Sequence, residues 1–222
     1  PEPEARKQNA AYYDFMVPLV KGYSTEQSLE ITSLGVQIHG GMGFIEETGA
    51  AQYYRDARIL TIYEGTTAIQ ANDLVGRKTA RDGGQTAKAI AAQIAKTEAE
   101  LTQSGSAAAL AVVKYLAAGR AAFLNVVDFV VANIKSKPND VFAGSVPYVM
   151  LAGNLIAGWQ LARSLLVAEA QLKAGSDDAE FMQAKIITAQ FYAEHILSKA
   201  PNIGQSIVAG GASVTALPLS SF

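Results

Sequence analysis

The stretch Gln85-Thr86-Ala87-Lys88-Ala89-Ile90-Ala91-Ala92-Gln93-Ile94-Ala95-Lys96 puts Ala87, Ile90, Ala91 and Ile94 on one face at helical spacing and leaves Lys88 and Lys96 to solvent. Small apolar side chains on such a face let helix backbones approach closely, so the stretch reads as a bundle helix. Downstream, Gln103-Ser104-Gly105-Ser106 breaks it, and a long helix follows to about Lys135. Pro138-Asn139-Asp140 then reads as the start of a loop extending past Pro147. Two more helices complete a roughly four-helix bundle. One carries Leu151, Leu155, Trp159, Ala162 and Leu166 to about Ala174. The other is capped by Asp177, with Glu180 three residues on, and runs through Ile186, Ala189, Ala193 and Ile196. The tail from Gly204 to Phe222 reads as either a docking arm or a loose end.

Upstream of the same stretch, Asp82-Gly83-Gly84 marks a break, and the chain divides there into residues 1–82 and an additional helical bundle over 83–222. In the first part Ala10, Tyr13 and Val17 follow helical spacing. Ser24 with Gln27 predicts a capping box for a second helix from about Thr25. That helix would present Ile31, Leu34 and Ile38 on one face and end at Gly40-Gly41-Met42-Gly43. Thr66 is placed to cap a helix running to about Lys78, with Arg77, Lys78 and Arg81 near its last carbonyls. No period-two pattern persists, so the fold class is all-α.

Half of the 222 residues are hydrophobic and the formal charge is -2, which excludes a disordered chain and gives nucleic acid no basic surface to bind. Cysteine is absent, which excludes thiolate chemistry and Cys-ligated metals and fits a reducing compartment, the cytoplasm by default. Two histidines, His39 and His195, make no metal site. The most apolar run, Ala121 to Ile134, is cut by Asn125 and Asp128 and reads as a buried helix, with no membrane span expected. The opening Pro1-Glu2-Pro3-Glu4 reads as a cut inside a longer protein.

Two segments stand apart from the helical background. In Gln37-Ile38-His39-Gly40-Gly41-Met42-Gly43-Phe44, the glycines either let backbone amides approach a phosphate or simply end a helix. In the second, Tyr54-Arg55-Asp56-Ala57-Arg58-Ile59 leads to Ile62-Tyr63-Glu64-Gly65-Thr66-Thr67-Ala68-Ile69-Gln70. Glu64 there is a carboxylate just before a helix start, a position that also suits an ordinary solvated group. Arg55, Asp56 and Arg58 read as structural ion pairs, and His39 as a hydrogen-bonded structural group.

Taken in this order and separation, the two segments resemble the end of the acyl-CoA dehydrogenase fold, whose signature joins a Gln-x-x-Gly-Gly turn to Tyr-Arg-Asp-Ala-Arg and Tyr-Glu-Gly-Thr-x-x-Ile-Gln. The resemblance covers Pro1 to about Arg81, as part of that family's C-terminal helical domain. From Gln85 the chain is similar to the extra helical domain of the methylmercaptopropionyl-CoA dehydrogenase-like branch. Nothing in it resembles the family's N-terminal helical or middle β-domain.

The resemblance implies an FAD enzyme that converts an acyl-CoA thioester to its trans-2-enoyl product, with Glu64 as the base for the α-proton while the β-hydride leaves for the flavin. It implies that the Glu64 amide, with a flavin hydroxyl, binds the thioester carbonyl oxygen. Gln37, Gly40 and Gly41 match the segment contacting the adenosine diphosphate part of FAD held largely by a neighbouring subunit, so a homo-oligomer is implied. Gly65 and Thr66 match flavin-contacting positions, whereas Ala68 stands where many relatives carry Gln or Glu. An electron-transfer flavoprotein is the implied electron acceptor. An acyl-CoA oxidase and a non-catalytic helical oligomerisation module are the alternatives, and the chain by itself is expected to be inactive.

Overall fold

A computed structural model describes residues 2–221 as an assembly of helices, with no strand among them. The first, α1 (Pro3–Ile38), is one unbroken rod of 36 residues rather than the two helices that Ser24 and Gln27 suggested. Its hydroxyls explain the difference. Thr25 Oγ1 donates to the carbonyl of Lys21 at 2.6 Å, Ser28 Oγ to that of Thr25 at 2.6 Å, and Thr32 Oγ1 to that of Ser28 at 2.7 Å. Hydroxyls that bond back to the preceding turn do not cap a new one. Only one face of α1 is buried, through Phe15, Pro18, Leu19 and Gly22. Tyr13, Val17, Ile31 and Leu34 point to solvent, and Ile38 is 84 % exposed. The apolar spacing was real, but nothing among the described residues covers that face.

After α2 (Gly41–Phe44) and a 3₁₀ turn, α3 (Ala50–Leu60) leads into a turn and then α4 (Thr67–Asp73). Thr66 caps α4, its hydroxyl accepting from Ile69 N, as the sequence predicts. The helix then widens into a π-wound stretch over Leu74–Ala80. Its basic residues do not serve its last carbonyls. Arg77 lies 3.1 Å from Asp73, and the buried Lys78 reaches Asp14 of α1 at 2.6 Å.

Asp82 closes the next turn by accepting from Gly84 N and Thr86 N, both at 2.9 Å, at the start of α5 (Gln85–Ser104). Ala87, Ile90, Ala91 and Ile94 are buried, as their spacing demands. Ser106 caps α6 (Ala107–Asn133). The segment after it is not a loop. Pro138 opens a short helix α7 (Pro138–Ala143), and Pro147 sits in the first turn of α8 (Ser145–Lys173), where a missing amide costs nothing. Asp178, not Asp177, caps α9 (Ala179–His195). The tail is neither arm nor loose end up to Val214. It forms α10 (Ala200–Val214), buried through Ala200, Gly204, Ile207 and Gly211. The bundle therefore has five long helices, α5, α6, α8, α9 and α10, rather than four.

By length and composition α6 could cross a membrane, which the sequence reading had excluded. Here it is a core helix, burying Val112, Leu116, Phe123, Val126 and Val130. Trp159 of α8 donates its indole N–H to Thr97 of α5 at 2.8 Å. Arg120 of α6 grips Glu98 of α5 with two bonds of 2.7 and 2.8 Å. The core runs without interruption into the first 80 residues. Phe15 meets Phe123 edge-on at 6.5 Å, Phe123 stacks on Tyr148 at 5.9 Å, and the Tyr148 hydroxyl pairs with Thr79 at 3.0 Å. Burial of Tyr148 pushes its hydroxyl pKa up. A hydroxyl cluster repeats this linkage. Tyr23 of α1 donates to the Asn154 side chain at 3.0 Å and lies 3.0 Å from the Tyr192 hydroxyl, which donates to the Asn154 carbonyl at 3.2 Å.

Candidate active site

The turn between α3 and α4 is built by competition between helix ends. Ile62 N and Tyr63 N both donate to the carbonyl of Ile59, finishing α3, while Thr67 N reaches back to Thr61 O at 3.2 Å. Between them Glu64 takes φ 51°, the one non-glycine residue with positive φ among those described, and Gly65 follows at 95°. A left-handed glutamate costs roughly 1–2 kcal/mol relative to a helical one, a strain that persists only where neighbours impose it. The consequence is an exposed carboxylate and an amide that donates to no carbonyl among the described residues. A Cβ on Gly65 would lie 2.7 Å from Gln70 Nε2, the movable end of that side chain, so it is the positive φ that calls for glycine.

Two residues that sequence reasoning missed hold this turn. Lys21 Nζ donates to the carbonyl of Leu60 at 2.5 Å and lies 4.5 Å from the centre of the Tyr63 ring. Glu26 accepts from the Thr67 hydroxyl at 2.5 Å. These contacts join residues 39 and 41 positions apart, so no local pattern announces them. Nearby, Arg58 donates to the Thr61 hydroxyl. An apolar trough of about 500 Å³ runs along α1 beside Lys21, lined by Tyr13, Met16, Val17 and Val20.

The other predicted group sits elsewhere. Gln37, Gly40 and Gly41 are exposed at the end of α1, where Gly40 N donates to Gln37 O at 3.1 Å and Gly40 takes φ 60°. Gln37 is eleven residues beyond Glu26 on the same helix, about 17 Å at 1.5 Å per residue. His39 bonds the Gly35 carbonyl through Nδ1 at 2.8 Å, the structural role its position suggested. Of the charged trio, Arg55 pairs with Glu46 at 2.8 Å, but Asp56 and Arg58 form no ion pair among the described residues. Ala68 is exposed and contributes only a methyl group.

The groups present leave room for a ligand. Space is open where a Cβ would stand on Gly40 or Gly41, so a ligand can reach their backbone, and Thr66 keeps an exposed hydroxyl beside the free Glu64 amide. No group of three or more His, Asp or Glu suited to a metal occurs among the described residues.

Residues 5–79 match the family described as "Acyl-CoA dehydrogenase, C-terminal domain", and residues 87–218 match "Acetyl-CoA dehydrogenase C-terminal like". The chain belongs to the acyl-CoA dehydrogenase family. Among its acyl-CoA dehydrogenase relatives, a 3-methylmercaptopropionyl-CoA dehydrogenase from Ruegeria pomeroyi is 59 % identical over 194 residues, 87 % of this chain and 33 % of the relative. A broad-specificity linear acyl-CoA dehydrogenase from Mycobacterium tuberculosis is 37 % identical over 198 residues, 83 % of this chain and 31 % of the relative. A subunit of a caffeyl-CoA reductase–Etf complex from Acetobacterium woodii is 48 % identical over 52 residues, 23 % of this chain and 14 % of the relative. The chain spans about a third of the length of the first two relatives.

Proposed function

We propose that this chain is the C-terminal part of an FAD-dependent acyl-CoA dehydrogenase and that Glu64 is its base. The observation that carries the proposal is the left-handed turn at Glu64, where one residue of the Tyr-Glu-Gly-Thr signature carries both an exposed carboxylate and an amide with no carbonyl partner among the described residues. The carboxylate takes the α-proton of the thioester, and the amide donates to the carbonyl oxygen on which negative charge gathers as the Cα–H bond breaks. The double bond forms between Cα and Cβ as the β-hydrogen departs with its electron pair. Bound FAD supplies the hydride acceptor. A carboxylate surrounded by water is too weak a base for this proton, so substrate and the rest of the protein must exclude water from it.

The division at Asp82-Gly83-Gly84 separates the part that carries Glu64 from an added bundle, and the two family matches fall on either side of it. Gln37, Gly40 and Gly41 would meet the adenosine diphosphate of a flavin held by a second copy, and Gly65 and Thr66 the flavin near the base. The stretch of α1 that separates Gln37 from Glu26, which holds the Glu64 turn, supports this, as does the exposed apolar face of α1 that a further domain or copy would cover. The relative from an Etf complex supports an electron-transfer flavoprotein as acceptor. The 59 % relative makes 3-methylmercaptopropionyl-CoA the first thioester to try, with linear acyl-CoAs next.

The test is product analysis with the complete protein, each acyl-CoA and an electron acceptor. A product two hydrogens lighter, formed only with bound FAD, is the expected result. Turnover with oxygen alone would mean an oxidase, and a complete protein that binds no flavin would leave only a helical oligomerisation module.

A further inference from the structure

We propose that Lys21 and Glu26 of α1 are positioning residues that clamp the Glu64 turn from both sides, an inference that rests on Glu64 being the base. The turn has two ends. At the end of α3, Lys21 Nζ donates to the carbonyl of Leu60, one of the orphan carbonyls at a helix C-terminus, and its charge lies over the Tyr63 ring. At the start of α4, Glu26 receives the hydroxyl of Thr67. Gln70 adds a packed contact between them, since a Cβ on Gly22 would touch it at 3.3 Å and one on Gly65 at 2.7 Å. Lys21, Gly22 and Glu26 stand within little more than one turn of α1, so a single stiff segment grips residues on both sides of Glu64.

The clamp has a job because the turn does not hold itself. Glu64 is in a conformation that L-residues avoid, and its amide has no backbone partner to keep it there. Left free, the two short connections would let the residue relax toward φ < 0, swinging carboxylate and amide away from each other's shared target. Lys21 and Glu26 are both half-buried, so neither contact is an ordinary solvated surface pair. Neither side chain touches substrate in this account. They act through the backbone of Leu60 and the side chain of Thr67.

The test uses the complete flavoprotein and reads exchange of the substrate α-proton into deuterated water by NMR, a step that needs the base but no net oxidation. The variants are Lys21→Met, which keeps the side-chain stem but removes the charge and donors, Thr67→Val, which removes only the hydroxyl, and Lys21→Arg. Displacing a reacting group by about 1 Å can cost on the order of 100-fold, so Lys21→Met and Thr67→Val should slow exchange by about 10- to 100-fold. Flavin content and acyl-CoA affinity should stay within about twofold, and Lys21→Arg should recover most of the rate, as a loss of general stability would not. Exchange at the parental rate in Thr67→Val and in flavin-loaded Lys21→Met would overturn the clamp. If Lys21→Met fails to fold, the near-isosteric Thr67→Val decides alone. Glu64→Gln separates the two ideas. Exchange that survives it removes the base assignment and the clamp together, whereas exchange lost in Glu64→Gln but intact in the clamp variants removes the clamp only.

Discussion

Gly153→Ala should unfold the junction between α1 and the added bundle. A Cβ built on Gly153 would lie 2.2 Å from Cγ of Tyr23, 2.3 Å from its Cδ2 and 2.7 Å from its Cβ. Carbon atoms in contact settle near 3.5–4.0 Å, so the overlap exceeds about 1 Å at two atoms and is about 1 Å at the third. These atoms are at the root of the side chain, where rotation about χ2 gives no relief. Either α1 moves off α8 or Tyr23 leaves its site. Overpacking of this kind costs about 1–3 kcal/mol. Expulsion of Tyr23 adds the loss of its bonds to Asn154 and Tyr192, about 1 kcal/mol each. The sum is roughly 3–5 kcal/mol, read by urea unfolding of the 222-residue chain as a midpoint lowered by about 1 M or more. Combining Gly153→Ala with Tyr23→Ala should cost less than the two changes added, because the second removes Cγ and Cδ2, the two nearest atoms of the clash. A loss below about 1 kcal/mol for Gly153→Ala, or strict additivity in the pair, would refute the reasoning.

Other consequences can be checked on the same chain. Arg120→Met leaves Glu98, whose side chain is 11 % exposed, without its partner, and should destabilise by about 3 kcal/mol or more in denaturant unfolding, while Arg120→Met with Glu98→Leu should recover most of it. Burial raises the pKa of Tyr23 and Tyr192 above the ordinary 10.0. The folded state therefore keeps protons that the unfolded chain gives up, and the resulting stability, fully present below pH 10, is lost as pH rises through the folded values. Unfolding midpoints should fall above pH 10, and less steeply in Tyr23→Phe with Tyr192→Phe. The exposed Ile31, Leu34, Ile38 and Phe44 should make the isolated chain associate with rising concentration, so a monomer in light scattering at every concentration would count against a covered face.

The helices were legible wherever burial and periodicity coincide. Ala87, Ile90 and Ile94 face the core because that stripe is the only way α5 can bury apolar surface. Ser24-Thr25 misled because a hydroxyl suits a cap or a helix interior equally well, and which it does depends on whether the preceding turn offers a carbonyl. The Pro138 and Pro147 segment misled for a related reason, since proline ends a helix from within but suits its first turn. The Gly-rich tail folds because α6 and α7 give it a surface: a Cβ on Gly204 would press Ala122, and one on Gly211 would press Asp140. At the candidate site the sequence located Glu64 by its neighbours and resemblance alone. Its left-handed backbone, and the reach of Lys21 and Glu26 across about forty residues, exist only once α1 packs on α3 and α4.

The most direct test of the account is anaerobic mixing of the FAD-loaded complete protein with 3-methylmercaptopropionyl-CoA and a linear acyl-CoA, following loss of the flavin's visible absorbance in the parent and in Glu64→Gln. The account predicts bleaching in the parent with at least one thioester, and a Glu64→Gln variant that retains its flavin but reduces it slower by at least about 1,000-fold, upward of 4 kcal/mol in barrier. Equal bleaching in the two proteins would contradict it.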